Sequence, residues 1–106
     1  MTIDAERCFE EIAACLLADP AVTPGTGFGS SPGLRIGGKI FAMLIKGELV
    51  VKLPRPSVDQ LVAAGTARRF DPGHGRLMKE WATVPLATTE GWERLADEAL
   101  QFVDDR

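Results

Sequence analysis

At 106 residues, 45% of them hydrophobic and 25% charged, the chain has the composition of one soluble domain, which excludes a disordered or fibrous segment. Folding at this length buries roughly 60 to 70% of the surface that the unfolded chain exposes, enough for a core without metal or disulfide. The net charge of -3 is unevenly spread: residues 1–33 hold five acids and one base, residues 34–79 nine bases and three acids, and residues 80–106 seven acids and two bases. A basic middle between acidic ends either focuses an anionic partner or is screened by the ends. Because solvated helix faces are usually charged, screening is the simpler reading.

The first segment, MTIDAERCFEEIAACLLADP, is acidic and lacks the basic start and unbroken apolar run of a signal peptide. No stretch reaches the roughly 20 apolar residues of a membrane helix, so a cytoplasmic protein is expected. Phe9, Ile12, Ala13, Leu16 and Leu17 form one stripe of a helix from about Thr2 to Asp19, started by Thr2 and Asp4 and closed by Pro20. Cys8 and Cys15 would then lie about 10.5 Å apart along it, too far for a disulfide, and reduced thiols are expected. One histidine and two such cysteines show neither CxxC nor HxxxH spacing, so no metal site is expected.

Residues 25–33, GTGFGSSPG, have the composition of a turn or an irregular edge strand. Two-residue breaks at Gly37-Gly38 and Lys46-Gly47 divide the next stretch into strands Leu34 to Ile36, Lys39 to Ile45 and Glu48 to Leu53, a meander joined by tight hairpins. Both alternating sets of the middle strand are apolar: Ile40, Ala42 and Leu44 on one face, Phe41, Met43 and Ile45 on the other. One set is expected to meet the helices. The other needs a cover, and a partner subunit is the simplest one, which makes Phe41, Met43 and Ile45 the candidate dimer or partner face and a homodimer the expected state.

Ser57 and Gln60 have the spacing of a capping box, opening a short helix with Leu61, Val62 and Ala64 that ends at Gly65. Strands Ala67 to Phe70 and Lys79 to Val84 follow, the second ended by Pro85. A last helix, capped by Thr88 or Thr89, carries Trp92, Leu95, Ala96, Ala99, Leu100 and Val103 on one stripe. The order α-β-β-β-α-β-β-α, without regular βαβ alternation, predicts an α+β domain with two layers, an antiparallel sheet and helices on one face.

Three motifs touch on chemistry. GLRIGGK, residues 33–39, fits the start of a phosphate loop, but Ile40 stands where a hydroxyl belongs and a strand follows, so the segment is a hairpin. GTGFGS has Ser30 in place of the third glycine of GxGxxG and does not open a helix. His74, in FDPGHGRLMKEW, could serve as a base oriented by Asp71, yet it has no second histidine, nearby cysteine or serine elbow beside it. A turn between strands is the plainer reading. No cofactor is expected.

Lys52, Arg55, Arg68, Arg69, Arg76 and Lys79 could converge into a basic patch. The set Arg68, Arg69, Arg76, Lys79 and His74 is the candidate anion site, open to a small anion or to nucleic acid, though the chain has no tyrosine and no helix-turn-helix spacing.

Gly27-Phe28-Gly29, the strand and turn LRIGGKIFAML, the strand GELVVKL, a capped helix and the block GRLMKEWATVP occur in the order and spacing of a known family. Across about Gly27 to Pro85 the chain resembles the N-terminal domain of TfoX-type regulators and, more distantly, YjbR-like proteins. The resemblance implies a two-layer α+β fold of the kind seen in bacterial secretion chaperones. It brings no catalytic residues and implies little about activity, and the leading expectation is a non-catalytic interaction or regulatory module. The chain stops at Arg106, without the C-terminal helical domain of full-length TfoX, so a competence role is not carried over. An anion- or nucleic-acid-binding module is the alternative, and an enzyme in the same basic region a second one.

Overall fold

The computed structural model describes residues 4–26, 32–71, 77–87 and 89–104. In chain order the elements are α1 (Ala5–Leu16), β1 (Val22–Thr26), β2 (Pro32–Ile36), β3 (Lys39–Ile45), β4 (Glu48–Lys52), α2 (Arg55–Ala63), β5 (Arg68–Phe70), β6 (Met78–Val84) and α3 (Thr89–Val103). The six strands form one antiparallel sheet in the order β1-β2-β3-β4-β6-β5. The α+β architecture expected from the sequence is the one present, with one strand more than the sequence suggests.

That strand is β1. Its sequence, VTPGT, has a proline and a glycine at its centre, a poor strand composition anywhere but at an edge. It lies at an edge, paired to β2 alone, with Val22 opposite Ile36 and both side chains buried. Gly25 leaves room for Arg35 to lie across it: a Cβ there would come within 2.6 Å of the Arg35 Nε. The stretch 25–33 thus divides between β1 and β2, with residues 27–31 outside the described set.

The two hairpins form where the sequence breaks fall. Gly37 and Gly38 have φ of 59° and 80°, and Lys46 and Gly47 have 51° and 77°, so both residues of each turn are left-handed. That is the type I′ geometry whose twist matches the flanking strands. Lys46 is the one non-glycine with positive φ among the described residues.

At the helix starts, local chemistry differs from the sequence reading in one case. The Asp4 carboxylate caps α1, accepting a hydrogen bond from the Glu6 amide at 3.0 Å. The expected capping box of α2 is not made, because that helix begins at Arg55, two residues before Ser57, with Pro56 in its first turn and Pro54 as its cap. Proline suits this place, since its fixed φ is helical and its missing N–H would have had no partner. The Ser57 hydroxyl instead donates to Glu98 Oε1 of α3 at 3.1 Å.

All three helices cover one face of the sheet. Cys8, Phe9 and Ile12 of α1, Val58 of α2 and Trp92, Ala96, Ala99 and Leu100 of α3 share a core with Leu34, Ile36, Leu44, Leu49, Val51, Ala82 and Val84 from the strands. Trp92, 1% exposed, donates its indole N–H to the Pro85 carbonyl at 3.3 Å, so the largest buried side chain brings its polar atom in satisfied. Cys8 is buried in this core and Cys15 is exposed, and neither is in a disulfide. No helix of the described residues is long and apolar enough to cross a membrane.

Candidate functional site

The helix-free face of the sheet is assembled by strand parity and by one irregularity. Leu34 pairs with Ala42, but Arg35 pairs with Ile40, so the register slips by one and Phe41 has no partner across the ladder. An extra residue of this kind bends the strand and re-aims the side chains around it. Phe41, 0% exposed, joins Ala42 and Leu44 in the core under the helices, while Ile40 joins Met43 and Ile45 on the opposite face. The strict alternation read from the sequence therefore does not hold through β3. Of Phe41, Met43 and Ile45, the structure brings the last two together and sets the first on the other side.

Around them the face contains Val50 of β4, Phe70 of β5 and Trp81 of β6. Met43 and Val50 sit at its centre, 3% and 0% exposed, enclosed by half-buried Ile40, Ile45 and Trp81 and by the buried ring of Phe70. Lys52 places its ammonium 5.9 Å from the centroid of the Trp81 ring, a cation-π contact at the margin. At the start of β6, Leu77 and Met78 are exposed, Leu77 by 56%.

Ile40, Val50, Phe70 and Trp81 were not among the residues assigned to the partner face from the sequence. Finding them needed the non-sequential pairing of β4 with β6, which sets Lys52 opposite Trp81, and of β5 on the far side of β6. Nothing local to the sequence marks either pairing.

A groove of about 390 Å³ runs along this face at the β4-β6-β5 end. Ile45, Val50, Phe70 and Leu77 give it apolar walls, Thr83 sits among them, and Lys46, Glu48, Arg68, Arg69 and Asp71 are the charged residues that line it. Arg68 grips Glu48 with both terminal nitrogens, Nη1 to Oε2 at 3.0 Å and Nη2 to Oε1. The hydrogen bond to Glu48, before the Coulomb attraction, raises the Arg68 guanidinium above its ordinary value, so it is a cation at every ordinary pH.

The candidate anion residues do not share one surface. Arg68 is opposite Thr83, on the helix-free side, whereas Arg69 is opposite Ala82 and turns to the helix side to bond Asp59 of α2. Asp59 also forms an ion pair with Arg55, Nε to Oδ2 at 4.0 Å. Lys79 is exposed on β6. His74 and Arg76 fall in residues 72–76, outside the described residues.

Among the described residues no His, Cys or Ser lines the groove, and no group of three or more His, Cys, Asp or Glu side chains converges elsewhere. What the arrangement offers is contact: an apolar surface with one fixed ion pair at its rim. Comparison with family models, curated proteins and solved structures found no significant match.

Proposed function

We propose that this chain is a non-catalytic interaction module of the TfoX N-terminal type that works as a homodimer through the helix-free face of its sheet. The observation that carries the reading is the second apolar cluster: Ile40, Met43, Ile45, Val50, Phe70 and Trp81 lie on a face that no helix covers. Antiparallel sheets usually present a polar surface where one side faces water. Here six apolar side chains occupy that side, and exposed Leu77 and Met78 stand near the groove end of it.

A second copy is the occupant that the charges favour. The edges of the sheet suit lateral pairing poorly, because β1 holds Pro24 and β5 is only three residues long, so association uses the face. A two-fold axis beside the Glu48–Arg68 pair sets each copy's pair against the other's in alternating sign, a self-complementary arrangement.

The driving force is smaller than the sequence alone suggests. Phe41 belongs to the helix side, and Met43 is already enclosed by its own sheet, so the area gained on association comes from Ile40, Ile45, Trp81 and the Leu77–Met78 corner. A dimer of micromolar strength is the expected outcome. Sedimentation across 1 to about 300 μM tests it. Mass should rise toward twice that of the chain, and Ile45→Glu should abolish the rise while leaving the melting transition in place. A chain that sediments as a monomer over the whole range overturns the proposal.

A further inference from the structure

A second cavity, on the helix side of the sheet, has the makings of a ligand site. It measures about 450 Å³ and lies between the end of α2 and the start of α3. Val84 and Trp92 form its buried floor, and half-buried Leu61, Leu86 and Leu95 its walls. Its cation is Arg94. Pockets of this size, mostly apolar with a few placed polar groups, are the usual form of small-molecule sites.

The state of Arg94 gives the cavity its chemistry. Among the described arginines, Arg7 pairs with Glu11, Arg55 and Arg69 with Asp59, Arg68 with Glu48, and Arg35 donates to the Gly38 carbonyl. Arg94 alone is left without a hydrogen bond or ion pair. Two carboxylates lie one helical turn to either side of it, Glu90 and Glu98, at the spacing that ordinarily pairs with arginine on a helix. Neither bonds it, and the Ser57 hydroxyl from α2 engages Glu98 instead. The result is an exposed, unpaired arginine, with its planar fork of donors, among the residues that line an apolar cavity.

We propose that this cavity binds a small monocarboxylate with an apolar tail, the tail against Leu61, Leu86, Leu95 and Trp92 and the carboxylate on Arg94. Arginine matches a carboxylate with two parallel hydrogen bonds, and an apolar tail of medium length fits a cavity of this lining. The site is separate from the helix-free face, so its failure leaves the dimer reading untouched, and the reverse holds as well.

Trp92 in the floor supplies the readout. The chain has two tryptophans, and replacing the other, Trp81→Phe, leaves Trp92 as the sole indole. In that background octanoate should produce a saturable change in emission below about 1 mM, whereas octanol, the same tail without the charge, should need about tenfold more, the range set by one charge-assisted hydrogen-bonded pair. Arg94→Gln, at an exposed position, should weaken octanoate about tenfold and leave octanol unchanged. Ala87→Phe, which fills the rim, should abolish both. The proposal is overturned if octanoate gives no saturable signal up to about 10 mM, roughly tenfold above the concentration at which the site should fill. Equal affinity for acid and alcohol, indifference to Arg94→Gln, or binding that survives Ala87→Phe would overturn it equally.

Discussion

Phe41→Ala, set beside Ile40→Ala, tests the irregularity in β3 on which the whole assignment of faces rests. With strict alternation, Ile40 would lie under the helices and Phe41 on the open face; with the slip between Leu34 and Arg35 the two exchange places. Phe41 is fully buried in the main core, and truncating a buried phenylalanine costs about 3 to 5 kcal/mol, the transfer of the ring plus the cavity it leaves. Ile40 is half-buried, so only about half of the 2 to 5 kcal/mol of a buried isoleucine truncation applies, or about 1 to 2 kcal/mol. A domain of this size is stable by about 5 to 15 kcal/mol, so both variants should fold and be measurable. In urea, with a slope of about 2 kcal/mol per molar, Phe41→Ala should lower the midpoint by about 2 M and Ile40→Ala by under about 1 M. The slope itself should not change. Equal losses, or a larger loss for Ile40→Ala, would mean that the strand keeps its alternation and that Phe41, not Ile40, flanks Met43.

The two tryptophans should separate in the same assay: Trp92→Ala should cost about 3 to 5 kcal/mol, while Trp81→Ala, half-buried and relieved of its Lys52 contact, should cost about 1 to 2 kcal/mol. Lys46→Asn should raise stability by about 0.5 to 1 kcal/mol, because asparagine tolerates the left-handed conformation that Lys46 is held in at the first position of its turn; a loss on thermal melting would refute the turn assignment. Ser57→Ala should cost less than about 0.5 kcal/mol, since the hydroxyl makes one exposed bond to Glu98 and no helix cap, whereas a true N-cap serine would cost about 1 kcal/mol in a denaturant melt.

The features that could be read from the sequence are those with local causes. Gly37-Gly38 and Lys46-Gly47 mark hairpins because a two-residue turn demands positive φ, and that demand does not depend on what lies across the sheet. The stripes of Phe9 and Ile12 and of Trp92, Ala96 and Ala99 mark helices because side chains three and four apart share a face whatever they meet. Hence the α+β class and nearly every element were legible from the residues alone. The make-up of the helix-free face was not. Whether a strand residue points up or down depends on the register with its neighbour, and one extra residue at Phe41 reverses the assignment of Ile40 without altering the apolar pattern. The strand β1, with Pro24 and Gly25, has little strand preference of its own and is held by Val22 packing on Ile36. Arg68 and Arg69, adjacent in the chain, part to opposite faces once β5 pairs with β6, one to Glu48 and the other to Asp59. Periodicity reports what each segment can bury; only the pairing of distant strands decides which side of the sheet buries it.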